Sequence, residues 1–232
     1  MLISGVNTVS TEIKVDKKSV EQLLSNGTTH KFVIPDYQRP YAWSEDEAGQ
    51  LWEDIVDFVE GGEEETYFLG SIVYFINDNG EQEIIDGQQR ITTLFLLIRA
   101  LYTKLEEIGS NDDQVDQLKR MILPLIWETD RYKKIISKNN VLIYSNVMNE
   151  EGNKVFKNIL KTGEAQTDDL DQYSNNYVLF QKLIDEFSVS NPMKFKDLVM
   201  ALLEDVIVLP IEADSQDTAL TIFNTSRIVT LS

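Results

Sequence analysis

The 232-residue chain contains no cysteine and a single histidine, His30. Without thiols it has no disulfide framework, thiolate nucleophile or zinc–cysteine site, and one imidazole cannot build a His-rich metal centre or the usual acid/base pairs. His30 follows Gly27-Thr28-Thr29 and reads as a solvated loop residue. No run of about 18 apolar residues occurs, and the N-terminus lacks a basic-then-apolar export pattern. Neither membrane insertion nor export is expected, and cytoplasm is the expected compartment. Basic residues are also scarce: 21 Lys and Arg stand against 39 Asp and Glu, for a formal charge of −18. That balance opposes autonomous, nonspecific DNA binding, which draws most of its affinity from neutralised phosphates. Between residues 44 and 66 there are ten acidic residues and no Lys or Arg. This run reads as a solvated helix face.

With 42% hydrophobic residues the chain can bury a proper core. Its length suits one large domain or two small ones. Residues 12–15 alternate as an edge strand, and Ser19 caps a short helix through Leu24. Residues 31–34 form the next strand. Ser44 and Glu47 make a capping box for an amphipathic helix ending near Gly61-Gly62. Residues 67–76 and 81–85 form a hairpin around Asn77-Asp78-Asn79-Gly80, and its second strand runs into a largely buried helix. From about Asp112 the pattern is helical, at 115–126, 147–161, 168–187 and 195–203, with Phe156, Tyr177, Phe180 and Phe187 at core spacing. A β-branched strand, 206–211, then precedes a helix over 217–223. The reading is α+β: a core over 1–110, a helical region over 111–205, and a strand–helix unit over 206–232 that rejoins the core if the late strand enters the first sheet.

The chemistry concentrates at Glu83-Ile84-Ile85-Asp86-Gly87-Gln88-Gln89-Arg90-Ile91-Thr92-Thr93-Leu94. An apolar strand passes through Asp-Gly into a helix. Gly87 permits positive φ and close backbone approach, and the first helical N–H groups have no intrahelical partner. Arg90 sits in the first turn, where the helix dipole disfavours a cation by up to ~1 kcal/mol. A broken local rule of this kind marks a functional position. The alternative is structural, with Asp86 as N-cap, Gly87 as turn residue and Arg90 as an ion-pair partner. Upstream, Ile34-Pro35-Asp36-Tyr37-Gln38-Arg39-Pro40-Tyr41-Ala42-Trp43 is a stiff, proline-braced arm that presents Gln38 and Arg39 between aromatic residues. No Gly-x-x-x-x-Gly-Lys-Ser/Thr motif occurs, which excludes ordinary P-loop chemistry.

Taken together, IPDYQRPYAW, YFLGSIVYF at 67–75 and IIDGQQRITTL resemble the N-terminal domain of GmrSD-type modification-dependent restriction proteins. The likeness is dense from about Phe32 to Leu101, and a weaker echo of the family's Phe-x-x-x-Asn-x-Arg-Gly-x-x-Leu-Ser signature returns at 219–232. There the chain reads IFNTSRIVTLS, without a residue pair and the glycine after the arginine. The departure removes the ground for giving Asn224 or Arg227 a role. The resemblance implies a ParB/sulfiredoxin-like mixed sheet with helices. It also implies that Asp86, Gly87, Gln88, Gln89 and Arg90 bind a nucleoside triphosphate, with Gln38 and Arg39 nearby.

On that reading Asp86 holds Mg²⁺ or orients water, Arg90 neutralises a terminal phosphate, and the chain is an NTP-binding, NTP-hydrolysing regulatory domain for phage defence. Relatives resemble proteins with an HNH-type nuclease module further on, which one histidine cannot supply here; modified DNA would then be met through a full-length protein or a nuclease partner. The chain is accordingly expected to be a fragment or a truncated member. Two other readings use the same residues: a non-catalytic module binding DNA or a modified base, and a structural or toxin-neutralising partner with a vestigial motif. Arg90→Ala is expected to abolish nucleotide binding with little change in melting temperature.

Overall fold

The computed structural model describes residues 13–62, 65–109, 112–166 and 171–229, and the side chains of 226–229 are outside that description. Residue 12 of the first strand, residues 63 and 64 of the acidic run, residues 168–170, residues 230–232 and the side chain of Arg227 therefore lie outside the described residues.

The fold is a mixed α/β arrangement in which a seven-stranded sheet carries eight helices among the described residues. The strands are β1 (Ile13–Val15), β2 (Lys18–Ser19), β3 (Phe32–Ile34), β4 (Tyr67–Ile76), β5 (Gln82–Asp86), β6 (Ile143–Ser145) and β7 (Val206–Ala213). Their order across the sheet is β1-β7-β4-β5-β3-β6, with β2 also on β7. The helices are α1 (Val20–Ser25), α2 (Glu45–Gly61), α3 (Gln88–Ile108), α4 (Asp113–Ile126), α5 (Glu150–Thr162), α6 (Gln172–Ser190), α7 (Phe195–Glu204) and α8 (Gln216–Val229).

The β4–β5 hairpin forms where the turn residues predict it. Asn77 Oδ1 accepts from the N–H groups of Asn79 and Glu81, both at 3.0 Å, and Gly80 takes φ 77°. His30 closes onto this turn, its Nδ1 lying 2.6 Å from Gly80 O, so the residue is half-buried rather than free in a loop. Each strand of the hairpin is bulged, at Leu69 against β7 and at Ile85 against β4. Bulges bend a strand and re-aim its side chains, and both lie beside the junction of β5 with α3.

The late strand β7 inserts between β1 and β4, pairing parallel with β4 along its length. It thereby ties the C-terminal part of the chain into the first sheet. Alternation along β4 splits the sheet's two faces: Ile72 and Tyr74 enter the main core with α1 to α7, whereas Val73 and Phe75 pack on the other face against α8 through Ala219, Leu220, Ile222 and Phe223. Helix α3 is the hub of the main core, with Ile91, Leu94 to Ile98, Leu101 and Leu105 all fully buried. Phe156, Tyr177, Phe180 and Phe187 are buried too.

Helix α5 starts at Glu150 and α6 runs from Gln172 to Ser190, both later than the periodicity places them. Asn149 and Asp171 decide those starts by accepting from the N–H groups of Gly152 and Ser174. The strand β6 is absent from the sequence reading. Three residues between Asn140 and Asn146 are too few for a period, and β6 exists only because β3 pairs with it.

The capping box on α2 is present: Ser44 N donates to Glu47 Oε2 at 2.7 Å and the Ser44 hydroxyl donates to the same oxygen. These bonds hold the Glu47 carboxyl below its ordinary value of 4.5. Lys196 does the same for Asp112, and Lys31 for Glu128, across ion pairs of 2.7 Å each. A depressed carboxyl pKa stabilises the fold above the unfolded-state value and loses that contribution as pH falls through the folded value. Melting temperature should therefore be level down to about pH 5 and decline below about 4.5. Glu47→Gln should flatten part of that decline, and an unaltered pH profile for this variant would refute the assignment.

Candidate functional site

The site lies where β5 ends and α3 begins. Gly87 is the N-cap of α3, at φ 84° and ψ 10°, and no side chain caps the helix. Asp86 is therefore not the cap, although capping was the plainest reason for an Asp there. The first i→i−4 bond joins Ile91 N to Gly87 O at 3.0 Å, so the N–H groups of Gln88, Gln89 and Arg90 have no intrahelical acceptor. By contrast, α1, α2, α4, α5 and α6 each receive a side-chain cap, from Ser19, Ser44, Asp112, Asn149 and Asp171.

This uncapped end opens into a cleft of about 670 Å³, lined by Gln38, Arg39, Trp43, Ser71, Ile85, Asp86, Gly87, Gln88, Gln89, Arg90 and Phe223. Every residue proposed for the site from sequence lines it. Sequence reasoning did not propose Ser71, Trp43 or Phe223, or Gly70 just behind. Gly70 had left a signal, because glycine inside a strand marks a bulge or a close approach.

Arg90 folds back over that glycine. Its Nη1 donates to Ser71 O at 2.7 Å, and a Cβ on Gly70, whose φ is 130°, would stand 2.8 Å from Arg90 Cζ. Burial draws the guanidinium pKa down, while Asp86 and the Tyr67 phenol oppose that shift electrostatically. The group remains a cation. Arg90 forms no ion pair among the described residues, and Asp86 acts on it only at longer range. Arg39 is exposed and lines the same cleft, and its guanidinium makes no hydrogen bond or ion pair among the described residues. Asp86 is the single carboxylate of the cleft lining, and its carboxylate has no hydrogen-bond partner among the described residues.

The two glutamines differ. Gln89 is a clamp: Oε1 accepts from Ala42 N at 2.7 Å and Trp43 N at 3.2 Å, and Nε2 donates to Pro40 O at 3.2 Å. Both ends of its amide are engaged with the arm. Gln88 is 7% exposed; its Nε2 donates to Arg39 O at 3.2 Å, but its Oε1 has no partner. A buried, unpaired acceptor costs about 1–3 kcal/mol, and it belongs to a residue of the cleft lining. Gln38 anchors the arm from the other end, with Nε2 donating to Ile85 O at 2.9 Å.

A hydrogen-bond relay stiffens the arm further. Asn176 Nδ2 donates to Tyr41 OH at 2.7 Å and Trp43 O at 2.8 Å, the Tyr41 hydroxyl lies 2.7 Å from Thr93 Oγ1, and Thr93 donates to Gln89 O at 2.8 Å. With Thr93's proton spent on Gln89, Tyr41 must donate to Thr93. Burial pushes the Tyr41 phenol up to about 12, which keeps that proton in place at any physiological pH. The cleft is thus walled by an arm, a bulged hairpin and a helix N-terminus, all tied to the core.

Together the sheet, the glycine-capped helix and the braced arm define a mixed α/β domain with one polar cleft at the strand–helix junction. The family model for the GmrSD restriction endonuclease N-terminal domain matches residues 20–228, and the chain belongs to that family. No curated protein matches the chain. The part of the signature echo over 219–229 falls on α8, where Asn224 is exposed, and 230–232 lie outside the described residues. Among the described residues no helix is long and apolar enough to cross a membrane.

Proposed function

We propose that the cleft binds the phosphates of a nucleoside triphosphate and supports Mg²⁺-dependent hydrolysis, so that the chain serves as the nucleotide-responsive part of a modification-dependent restriction system. The observation that carries the reading is the uncapped N-terminus of α3, whose free N–H groups share the cleft with Arg90, a cation held in no ion pair among the described residues. Helix N-termini with free donors and partial positive charge suit phosphate oxygens. Arg90 would supply charge-assisted hydrogen bonds to a terminal phosphate, and Arg39 would meet the same anion from the arm.

Gln88 adds a complementary function. Its unpaired Oε1 is shut off from solvent; were a small rearrangement to uncover it, an acceptor there would suit a donor such as a water or a sugar hydroxyl rather than a phosphate oxygen. The donor set fits a weakly held Mg²⁺: Asp86 is one free carboxylate, and no group of three or more His, Asp or Glu residues clusters among the described residues. Mg²⁺ sites commonly use one or two carboxylates together with substrate phosphates. When bound, the ion would neutralise phosphate charge. Modified DNA would be engaged by the larger system, because a chain with a formal charge of −18 is a poor autonomous binder of phosphate backbone.

Titration calorimetry with each of the four nucleoside triphosphates and Mg²⁺ tests the proposal. Micromolar binding of at least one of them, with phosphate release that stops on chelation, is the expected result. No heat with any nucleotide would refute it. Tight nucleic-acid binding competed by nucleotide but without turnover would instead assign the cleft to a DNA phosphate or modified base.

A further inference from the structure

Cationic side chains are sparse on this protein, yet four of the 21 Lys and Arg residues fall within residues 131–138: Arg131, Lys133, Lys134 and Lys138. The fold gathers them on one projection. Bridges Trp127–Val141 and Thr129–Ile135 close residues 127–141 into a short antiparallel finger, with Arg131, Tyr132, Lys133 and Lys134 exposed at its tip. Asp130 builds the tip by accepting from the N–H groups of Tyr132 and Lys134 at 2.8 and 3.0 Å.

The acids near the finger are already engaged. Glu128 pairs with Lys31 at 2.7 Å and accepts from Asn140, and Glu106 faces Lys138 at 3.7 Å and Arg99 at 3.9 Å. Lys138 also lies 5.3 Å from the Trp127 ring. Arg131, Lys133 and Lys134 form no ion pair among the described residues; Arg131 rests 4.7 Å over the ring of Tyr132, which is itself 68% exposed. Lys133 adopts φ 57°, the one positive value among the described non-glycine residues. Turn geometry favours Gly or Asn at such a position. A lysine there places charge ahead of local backbone preference.

The finger is remote from the cleft by topology. Strands β3, β5 and β6 are parallel; the finger leads into the start of β6, whereas the cleft lies past the end of β5. Screening confines a surface charge to about a Debye length, 8–10 Å at ordinary ionic strength. A projecting tip can therefore present positive potential although the molecule as a whole is acidic.

We infer that this finger is a contact for the phosphate backbone of a nucleic acid, with Arg131, Lys133 and Lys134 as the phosphate partners and Tyr132 as an adjoining aromatic face. Clustered cations with an exposed aromatic are the electrostatic and stacking elements of such contacts. About three neutralised phosphates give a slope of log K against log salt near −3 on duplex DNA and near −2 on a single strand.

The test is fluorescence anisotropy of the full chain with labelled 20-mer duplex and single-stranded DNA over a salt series starting at low salt. The comparison is between the triple variant Arg131→Ala, Lys133→Ala, Lys134→Ala and a control, Lys154→Ala, Lys157→Ala, Lys161→Ala, which changes net charge equally at exposed positions of α5. Binding by the unaltered chain and the control, with at least tenfold loss and a slope near zero in the finger variant, supports the inference. Three results overturn it: no DNA binding at low salt, equal loss in both triple variants, or binding to phosphatidylserine vesicles as tight as to DNA and equally finger-dependent. Lys133→Gly separates charge from folding, because glycine relieves the backbone: its melting temperature should hold or rise while DNA affinity falls.

Discussion

Gly87→Ala is expected to destabilise the fold by about 2–4 kcal/mol and to abolish nucleotide binding in the same step. The residue sits at φ 84°, and an added Cβ would stand 2.9 Å from Ile72 Cγ1, 3.0 Å from Ser71 O and 3.2 Å from Ile72 Cα. Two of these three atoms are backbone of β4, a strand paired on both sides. They cannot swing away as a long side chain would. The expected shift in melting temperature is roughly 4–16 °C for a chain of this size. Gly62→Ala provides the contrast: φ is 62° there as well, but nothing lies within 4 Å of its Cβ. Conformational cost alone, about 1 kcal/mol, should remain. Equal melting temperatures for the two variants would show that the close approach of α3 to β4 is not what requires glycine.

Arg90→Ala is expected to weaken binding of the nucleotide by on the order of 10- to 150-fold, the equivalent of about 1.5–3 kcal/mol for a hydrogen bond to a charged group. A modest stability loss of about 1–2 kcal/mol should accompany it, because Ser71 O loses its donor and the space over Gly70 empties. Sequence alone led to an expectation of abolished binding with little change in melting temperature; the bond to Ser71 O revises the second, and the presence of α3 N–H groups and Arg39 in the same cleft reduces the first to a partial loss. Arg90→Lys distinguishes the two contributions. An ammonium keeps the charge but cannot fork between a carbonyl and a phosphate as a guanidinium does. Near-normal melting with clearly weakened nucleotide binding is the expected outcome for that variant. Unchanged affinity in Arg90→Ala, measured where it remains folded, would sink the proposed role of Arg90.

Much of the site's framework was legible because its causes are local. The Asp-Gly junction, the Asn-rich hairpin turn and the Ser44–Glu47 box depend on residues within about four positions of each other. Their geometry follows from capping, left-handed glycine and period-2 alternation. The tasks of the two adjacent glutamines were not legible. Gln89 meets the backbone of Pro40, Ala42 and Trp43 and so becomes a clamp, while Gln88, one residue earlier, keeps a buried, unpaired oxygen. Identical side chains in neighbouring positions differ only in which way the helix turns them. The finger escaped notice for a related reason: its basic residues are diluted in an acidic chain, and only the bridges at Trp127–Val141 and Thr129–Ile135 set them apart.

What the sequence by itself determined is therefore a set of elements and one junction: a hairpin delivering a glycine to the start of a buried helix, a proline-braced arm, and the family that these motifs mark. Only the tertiary structure decided that β7 pairs with β4, that Gly70 yields its face to Arg90, that Trp43 and Phe223 meet at one cleft, and that a basic finger stands at the other end of the sheet. Caps, turns and periodicities act over a few residues and are written into the chain in order. The cleft instead joins positions tens of residues apart, from Gln38 to Phe223, and these become neighbours only when burying the apolar faces of the sheet and of α3 brings them together.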